Sequence, residues 1–103
     1  MQNKFIQFLG IAKRSGNVCE GYNKTEEFIK LKKLSLVIMS KESSDNTKKK
    51  FKVYCERFKV PIIENYSKEE LGAILGREEI NIIGILDKKI GDRLLELNIE
   101  ESN

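Results

Sequence analysis

The chain has 103 residues, 40% of them hydrophobic and 34% charged, with no histidine, no tryptophan and a net charge of +3, enough for one core and too little for two. Without histidine there can be no Ser–His or Cys–His nucleophile pair and no His-bearing zinc site, and no apolar run reaches the ~20 residues that cross a bilayer. Cys19 and Cys55 fit neither a metal spacing nor a C-x-x-C pair, so reduced thiols in a cytoplasmic protein are expected, and no cofactor or metal.

The amino-terminal stretch MQNKFIQFLGIAKRS places Lys4 among its apolar residues and offers no small-residue cleavage site, so no secretory signal is expected. Phe5, Phe8, Leu9 and Ala12 follow the i, i+3, i+4, i+7 rule and predict an amphipathic helix ending near Ser15-Gly16. NVCEG has room for a very short strand. GYNKTEEFIK, residues 21–30, reads as a helix start, with Asn23 as the cap and Glu26 three residues on in the reciprocal capping arrangement. Phe28 and Ile29 mark that helix's apolar side, and LSLVIMS, residues 34–40, predicts a buried strand.

A polar loop with caps available from Ser43 to Asn46 leads into a helix that buries Phe51, Tyr54, Cys55 and Phe58 and crowds Lys48, Lys49, Lys50 and Lys52 into its early turns. Pro61 ends it and opens the short strand PIIE. Ser67 and Glu70 form a second capping box in SKEELGAILG, with Leu71, Ile74 and Leu75 inward and Gly76 as terminator. INIIGIL, residues 80–86, is another apolar strand. Asp87 caps a last helix facing inward with Ile90, Leu94 and Leu97, and the acidic tail from Ile99 is expected to fray. Apolar strands alternating with helices predict an α/β protein: a single-domain three-layer α/β/α sandwich with a small mixed sheet. Gly72 and Gly84 either permit close packing or are merely tolerated.

Charge is unevenly spread. Residues 1–60 hold 14 Lys and Arg against 6 Asp and Glu, whereas residues 61–103 hold 5 against 10. Such a split suggests a polyanion for the basic side, or two differently solvated faces. Asn23 is a cap, with or without a ligand contact. Lys13 and Arg14 suit the negative end of the first helix's dipole whether or not they touch a ligand. Tyr22, exposed by position, either stacks on a base or staples the start of its helix.

In their order, the passages FLGIAKRSGNVCEG, KLSLVIMSKESSDNTKKK, YCERFKVPI, SKEELGAILG and INIIGILDKKIGDRLLEL resemble the small ribosomal proteins that bind kink-turn RNA, and most of all their bacterial ribosomal-protein-like members. Ser67 to Gly76, which reads S-K-x-x-L-G-x-x-x-G after a strand with proline, is the most telling piece. The resemblance implies one RNA-binding domain over residues 1–98, a frayed tail over 99–103, and a non-enzymatic role in the translation apparatus. It implies structured RNA as partner, ribosomal or kink-turn-like, with the ribosome or translation and transcription proteins nearby, and a monomer when free. In the family, the glycine-led start of the second helix enters the RNA and the loop after the L-G-x-x-x-G helix grips its other side. Carried over, the first patch is Gly21, Tyr22, Asn23, Lys24 and Glu27, joined by Lys13 and Arg14; the second is Gly76, Arg77, Glu78, Glu79 and Ile80.

Two positions depart from the family's Gly-x-Asn-Glu-x-x-Lys pattern: Lys24 stands where it has glutamate, and Glu27 where it has lysine. An ammonium has no lone pair for a guanine edge, so Lys24 suits phosphate and not a base contact. At i, i+3 spacing the swapped residues could pair with each other. Glu20 also replaces the basic residue often found before the glycine. These departures leave a second reading, a protein-interaction module of the same fold that has lost specific kink-turn binding and presents its acidic half.

Overall fold

The computed structural model describes residues 3–102. Helices and strands alternate throughout: α1 (Lys4–Arg14), β1 (Val18–Glu20), α2 (Tyr22–Lys30), β2 (Leu36–Ser40), α3 (Asp45–Phe58), β3 (Ile62–Tyr66), α4 (Lys68–Ile74), β4 (Ile82–Ile85) and α5 (Lys88–Ser102). The strands form one mixed sheet in the order β1-β4-β2-β3. β2 runs parallel to β3, and β4 runs antiparallel to both β1 and β2.

The two central strands are buried along their whole length, and the period-2 alternation of a strand sorts their side chains into two cores. Leu36, Ile38, Ile83 and Ile85 meet Phe5 and Leu9 of α1, Leu71 of α4, and Leu94 and Leu97 of α5. On the other side Val37, Met39 and Ile82 meet Ile29 of α2 and Phe51 and Cys55 of α3. The protein is therefore an α/β/α sandwich, with α1, α4 and α5 on one side of the sheet and α2 and α3 on the other. The charge split along the sequence maps only in part onto the layers, since α1, with Lys4, Lys13 and Arg14, lies on the side of α4 and α5. Residues 21–60, which carry the α2–α3 layer, hold 11 Lys and Arg against 5 Asp and Glu.

Local signals hold where the chain itself supplies the partner. Ser67 and Glu70 form the reciprocal capping box at α4, Ser44 caps α3 by accepting from the Thr47 N–H, and Asp87 accepts from the Lys89 and Ile90 amides at the start of α5. Close packing fixes two glycines. A Cβ on Gly72 would stand 2.5 Å from the backbone of Glu79, and one on Gly84 would stand 2.6 Å from the Cys19 sulfur. Gly72 thus lets α4 lie directly on the 76–80 loop.

Three expectations are corrected. Asn23 does not cap α2: the helix begins at Tyr22, so Asn23 lies inside its first turn, and no side chain caps that end. Glu26 reaches across to α3 instead of back, accepting from the Tyr54 hydroxyl at 2.6 Å and pairing with Lys50 at 2.9 Å. The tail expected to fray from Ile99 continues α5 to Ser102, where Glu101 accepts from the Lys4 N–H at 2.7 Å and ties α5 to the first turn of α1, which Asn3 caps by accepting from the Ile6 N–H. Beyond these, Tyr54 and Phe58 are only half-buried and cover the edge of the second core instead of filling it.

Candidate functional site

The start of α2 is set by the residue before it. Gly21 donates its N–H to the Ile82 carbonyl at 2.9 Å, which holds it at the edge of the sheet. The chain must then turn from strand to helix within one residue. Gly21 does so at φ 97° and ψ 166°, a conformation essentially restricted to glycine. Its carbonyl accepts from Thr25, the first intrahelical bond. The result is a helix amino terminus with no side-chain cap, whose first-turn amides and partial positive charge face outward beside a glycine with no atom near its missing Cβ.

Two depressions flank this terminus. One, of about 330 Å³, is lined by Lys13, Cys19, Glu20, Lys24, Phe28 and Arg77 among others. Here the end of α1, the start of α2 and the 76–80 loop converge although they are far apart in sequence. Glu20 organises them: its carboxylate pairs with Lys13 and accepts from Arg77 Nε at 2.6 Å, and its side chain is only 10% exposed. Burial pushes the Glu20 carboxyl upward, but the two cations more than reverse this and hold it below its ordinary range. Lys24 makes no pair with Glu27; its ammonium lies 5.6 Å from the centre of the Phe28 ring, a cation–π placement.

The other depression, of about 380 Å³, is lined by Gly21, Tyr22, Ser43, Ser44, Thr47, Asn81 and Ile82. Buried Ser40 builds its floor by donating to Asn81 Oδ1 at 2.6 Å and meeting the Ser43 hydroxyl at 3.1 Å. These polar residues were not anticipated from the sequence, because their contacts bridge β2, the loop before α3 and the residue before β4, some 40 positions apart.

The expected site residues divide accordingly. Asn23, Lys24, Glu27, Lys13, Arg14, Arg77 and Glu78 are exposed, and Gly21 is half-buried. Tyr22 is not an open stacking platform. Its ring is half-buried and packs edge-on against Phe51, centroids 5.1 Å apart, so it staples α2 to α3. Ile80 is also withdrawn: it is 6% exposed and belongs to the first core, where its N–H holds the Lys68 carbonyl. Glu79 turns toward α4 and pairs with Lys68 at 2.9 Å. Neither thiol is poised for chemistry. Burial raises Cys19, and it pushes Cys55 up to about 12.

This sandwich, with a glycine-led helix start beside the loop after α4, matches a known family. The model of the Ribosomal protein L7Ae/L30e/S12e/Gadd45 family matches residues 4–93. The chain belongs to that family. Among its relatives, a protein of Enterococcus faecium described as RNA-binding protein YlxQ is 29% identical over 96 residues, covering 93% of this chain and 92% of its own length. The Bacillus subtilis (strain 168) protein of the same description is 28% identical over 94 residues, 91% of this chain and 94% of its own. A solved structure of a Bacillus halodurans C protein of unknown function superposes with a TM-score of 0.90 at 26% identity, covering 93% of this chain and 97% of the other. The 15.5kD RNA binding protein of Giardia lamblia gives a TM-score of 0.76 at 16% identity, over 99% and 91% of the two chains, a likeness of fold alone. Among the described residues of this L7Ae-family chain, no helix is long and apolar enough to cross a membrane, and no three His, Cys, Asp or Glu side chains group as a metal site.

Proposed function

We propose that this protein is a non-enzymatic, cytoplasmic RNA-binding protein of the translation apparatus, monomeric when free. It grips structured RNA, ribosomal or kink-turn-like, at the amino terminus of α2. The observation that carries this reading is the uncapped helix start at Gly21, in a chain of the L7Ae family whose relatives are described as RNA-binding proteins. A phosphate seated there meets free amides and the positive end of the helix dipole, and glycine lets the sugar–phosphate chain approach. Lys13, Lys24 and Arg77 border the same corner and supply further positive charge.

The departures shape the mode of binding. Lys24 offers phosphate an ammonium but offers a guanine edge nothing to donate to, while Glu27, exposed one turn later, repels the backbone. Affinity then rests on backbone contacts more than on reading bases. Such binding weakens by about 0.7–0.9 log units per log unit of salt for each phosphate neutralised. Lys13→Ala combined with Lys24→Ala should lower affinity for a kink-turn hairpin and flatten that slope in a filter-binding or anisotropy series. An unchanged slope would place the contact elsewhere.

A further inference from the structure

Among the described residues, the non-glycine residues at positive φ are Lys32 (59°) and Lys59 (57°). Each ends a helix. Lys32 and Lys33 donate to the carbonyls of Ile29 and Phe28 at the end of α2, and Lys59 and Val60 donate to those of Glu56 and Cys55 at the end of α3. These are the paired bonds of helix ends at which glycine, or sometimes asparagine, takes the left-handed residue at least cost. The dipole favours a cation near the carboxyl terminus of each helix, but it does not account for placing lysine at the strained position twice. The two sites share a cavity: Lys32, Lys33, Lys59 and Lys88 line one depression of about 360 Å³, with Phe58, Leu86 and Asp92 also on its wall. Asp92 is taken by Lys88 at 3.1 Å. No carboxylate pairs with Lys32, Lys33 or Lys59 among the described residues, whereas Lys50 and Lys52 of the α3 lysine run are bound to Glu26 and Glu64.

This cavity is joined to the α2 amino-terminal site. Leu86 lines both depressions, and between them half-buried Phe28 has the ammonium of Lys24 and that of Lys33 each 5.6 Å from its ring centre. Unpaired cations and one accessible aromatic ring therefore follow the side of α2 from its start to its end. The 9 residues of α2 rise about 13 Å, the axial length of about four nucleotides of a stacked strand.

We propose that this track is a second RNA contact, one that takes an unpaired strand. Lys24 and Lys33 move from the Phe28 ring to phosphates, a base stacks on the open part of that half-buried ring, and Lys32 and Lys59 hold the phosphates that follow at the shared cavity. A charged groove with an interleaved aromatic is the arrangement that binds single strands without reading sequence. Glu27 on α2, Glu20 at the near end and Asp92 at the far end border the track; the last two carry their own cation partners. The proposal rests on the RNA reading above in taking RNA as ligand; the two share Lys24, but Lys32, Lys33, Lys59 and Phe28 belong to the track alone.

Two probes separate them: a short oligouridylate and an untailed kink-turn hairpin, each titrated by anisotropy across salt into the full chain. The variant is Lys32→Asn with Lys59→Asn, which removes both charges while placing at each position a residue that tolerates the left-handed conformation. The expected result is oligouridylate binding that the variant weakens, with the salt slope lower by about 1.4 log units for two lost phosphate contacts. Hairpin binding should be unchanged, and the melting temperature should not fall. Hairpin binding without oligouridylate binding overturns the track and leaves the α2 terminus standing. Oligouridylate binding without hairpin binding does the reverse. Oligouridylate binding that the variant leaves intact also overturns the track, and binding of neither probe overturns both readings.

Discussion

Glu20 illustrates how one side chain can serve stability and oppose binding. It fixes Lys13 and Arg77, residues from α1 and from the loop after α4, at the same corner, yet it puts a carboxylate where the proposed RNA interface needs positive charge. Because both cations are about half exposed, solvent screens the pairs, and Glu20→Gln should cost only about 0.5–1 kcal/mol at neutral pH. A carboxyl held below its ordinary value of 4.5 contributes stability that is fully present above that value and lost as pH falls through the folded pKa. The stability gap between wild type and Glu20→Gln, measured by urea denaturation, should therefore be constant from pH 7 to about 5 and close below 4.5. A gap that persisted in acid would mean that the side chain stabilises by packing instead. RNA affinity should move the opposite way and rise in the variant. None of this residue-level detail was legible in the sequence, where Glu20 is simply an acid in place of a base. Lys24 and Glu27 were legible as a swapped pair, but not the choice of Lys24 to lie over Phe28.

At the scale of elements, local signals succeeded where the interaction closes within a few residues and failed where the sheet imposed the geometry. The Ser67–Glu70 box formed as expected because both partners belong to one helical turn. The same pattern at Asn23 and Glu26 did not form, because the bond from Gly21 to β4 starts the helix two residues early and Tyr54 and Lys50 offer Glu26 better partners. Tyr22, open between stacking on a base and stapling its helix, takes the second role, and Ile80, expected at the RNA, lies in the first core; no local pattern distinguishes a surface residue from one covered by a distant element. The close seating of α4 on the 76–80 loop is a testable consequence. Alanine at Gly72 would gain about 1 kcal/mol of helix propensity. Its Cβ, however, would meet backbone at 2.5 Å, and overpacking of this kind costs about 1–3 kcal/mol. Gly72→Ala should thus lower the melting temperature and displace Arg77 from Glu20, weakening RNA binding as well. An unchanged or higher melting temperature would show that the loop yields freely.

For the whole molecule, the alternation of apolar strands and amphipathic helices was enough to specify three layers, and the charge count gave an excess of Lys and Arg over residues 1–60 and of Asp and Glu over residues 61–103. What the linear order hid is how far these coincide: the sheet separates the α2–α3 layer, rich in lysine, from α4 and α5, where 9 acidic residues between positions 67 and 102 face 5 basic ones, while α1, with Lys4, Lys13 and Arg14, lies on the side of α4 and α5. A polyanion steered by such a field meets the basic layer first. The α2 amino terminus and the track along α2 both lie on that side. The most direct test is ultraviolet crosslinking in cells, with the attached RNA sequenced and the adducted peptides mapped. The account predicts recovered structured RNA, with adducts on residues 13–33 and 76–79. Recovery of no RNA, or adducts confined to α4 and α5, would contradict it.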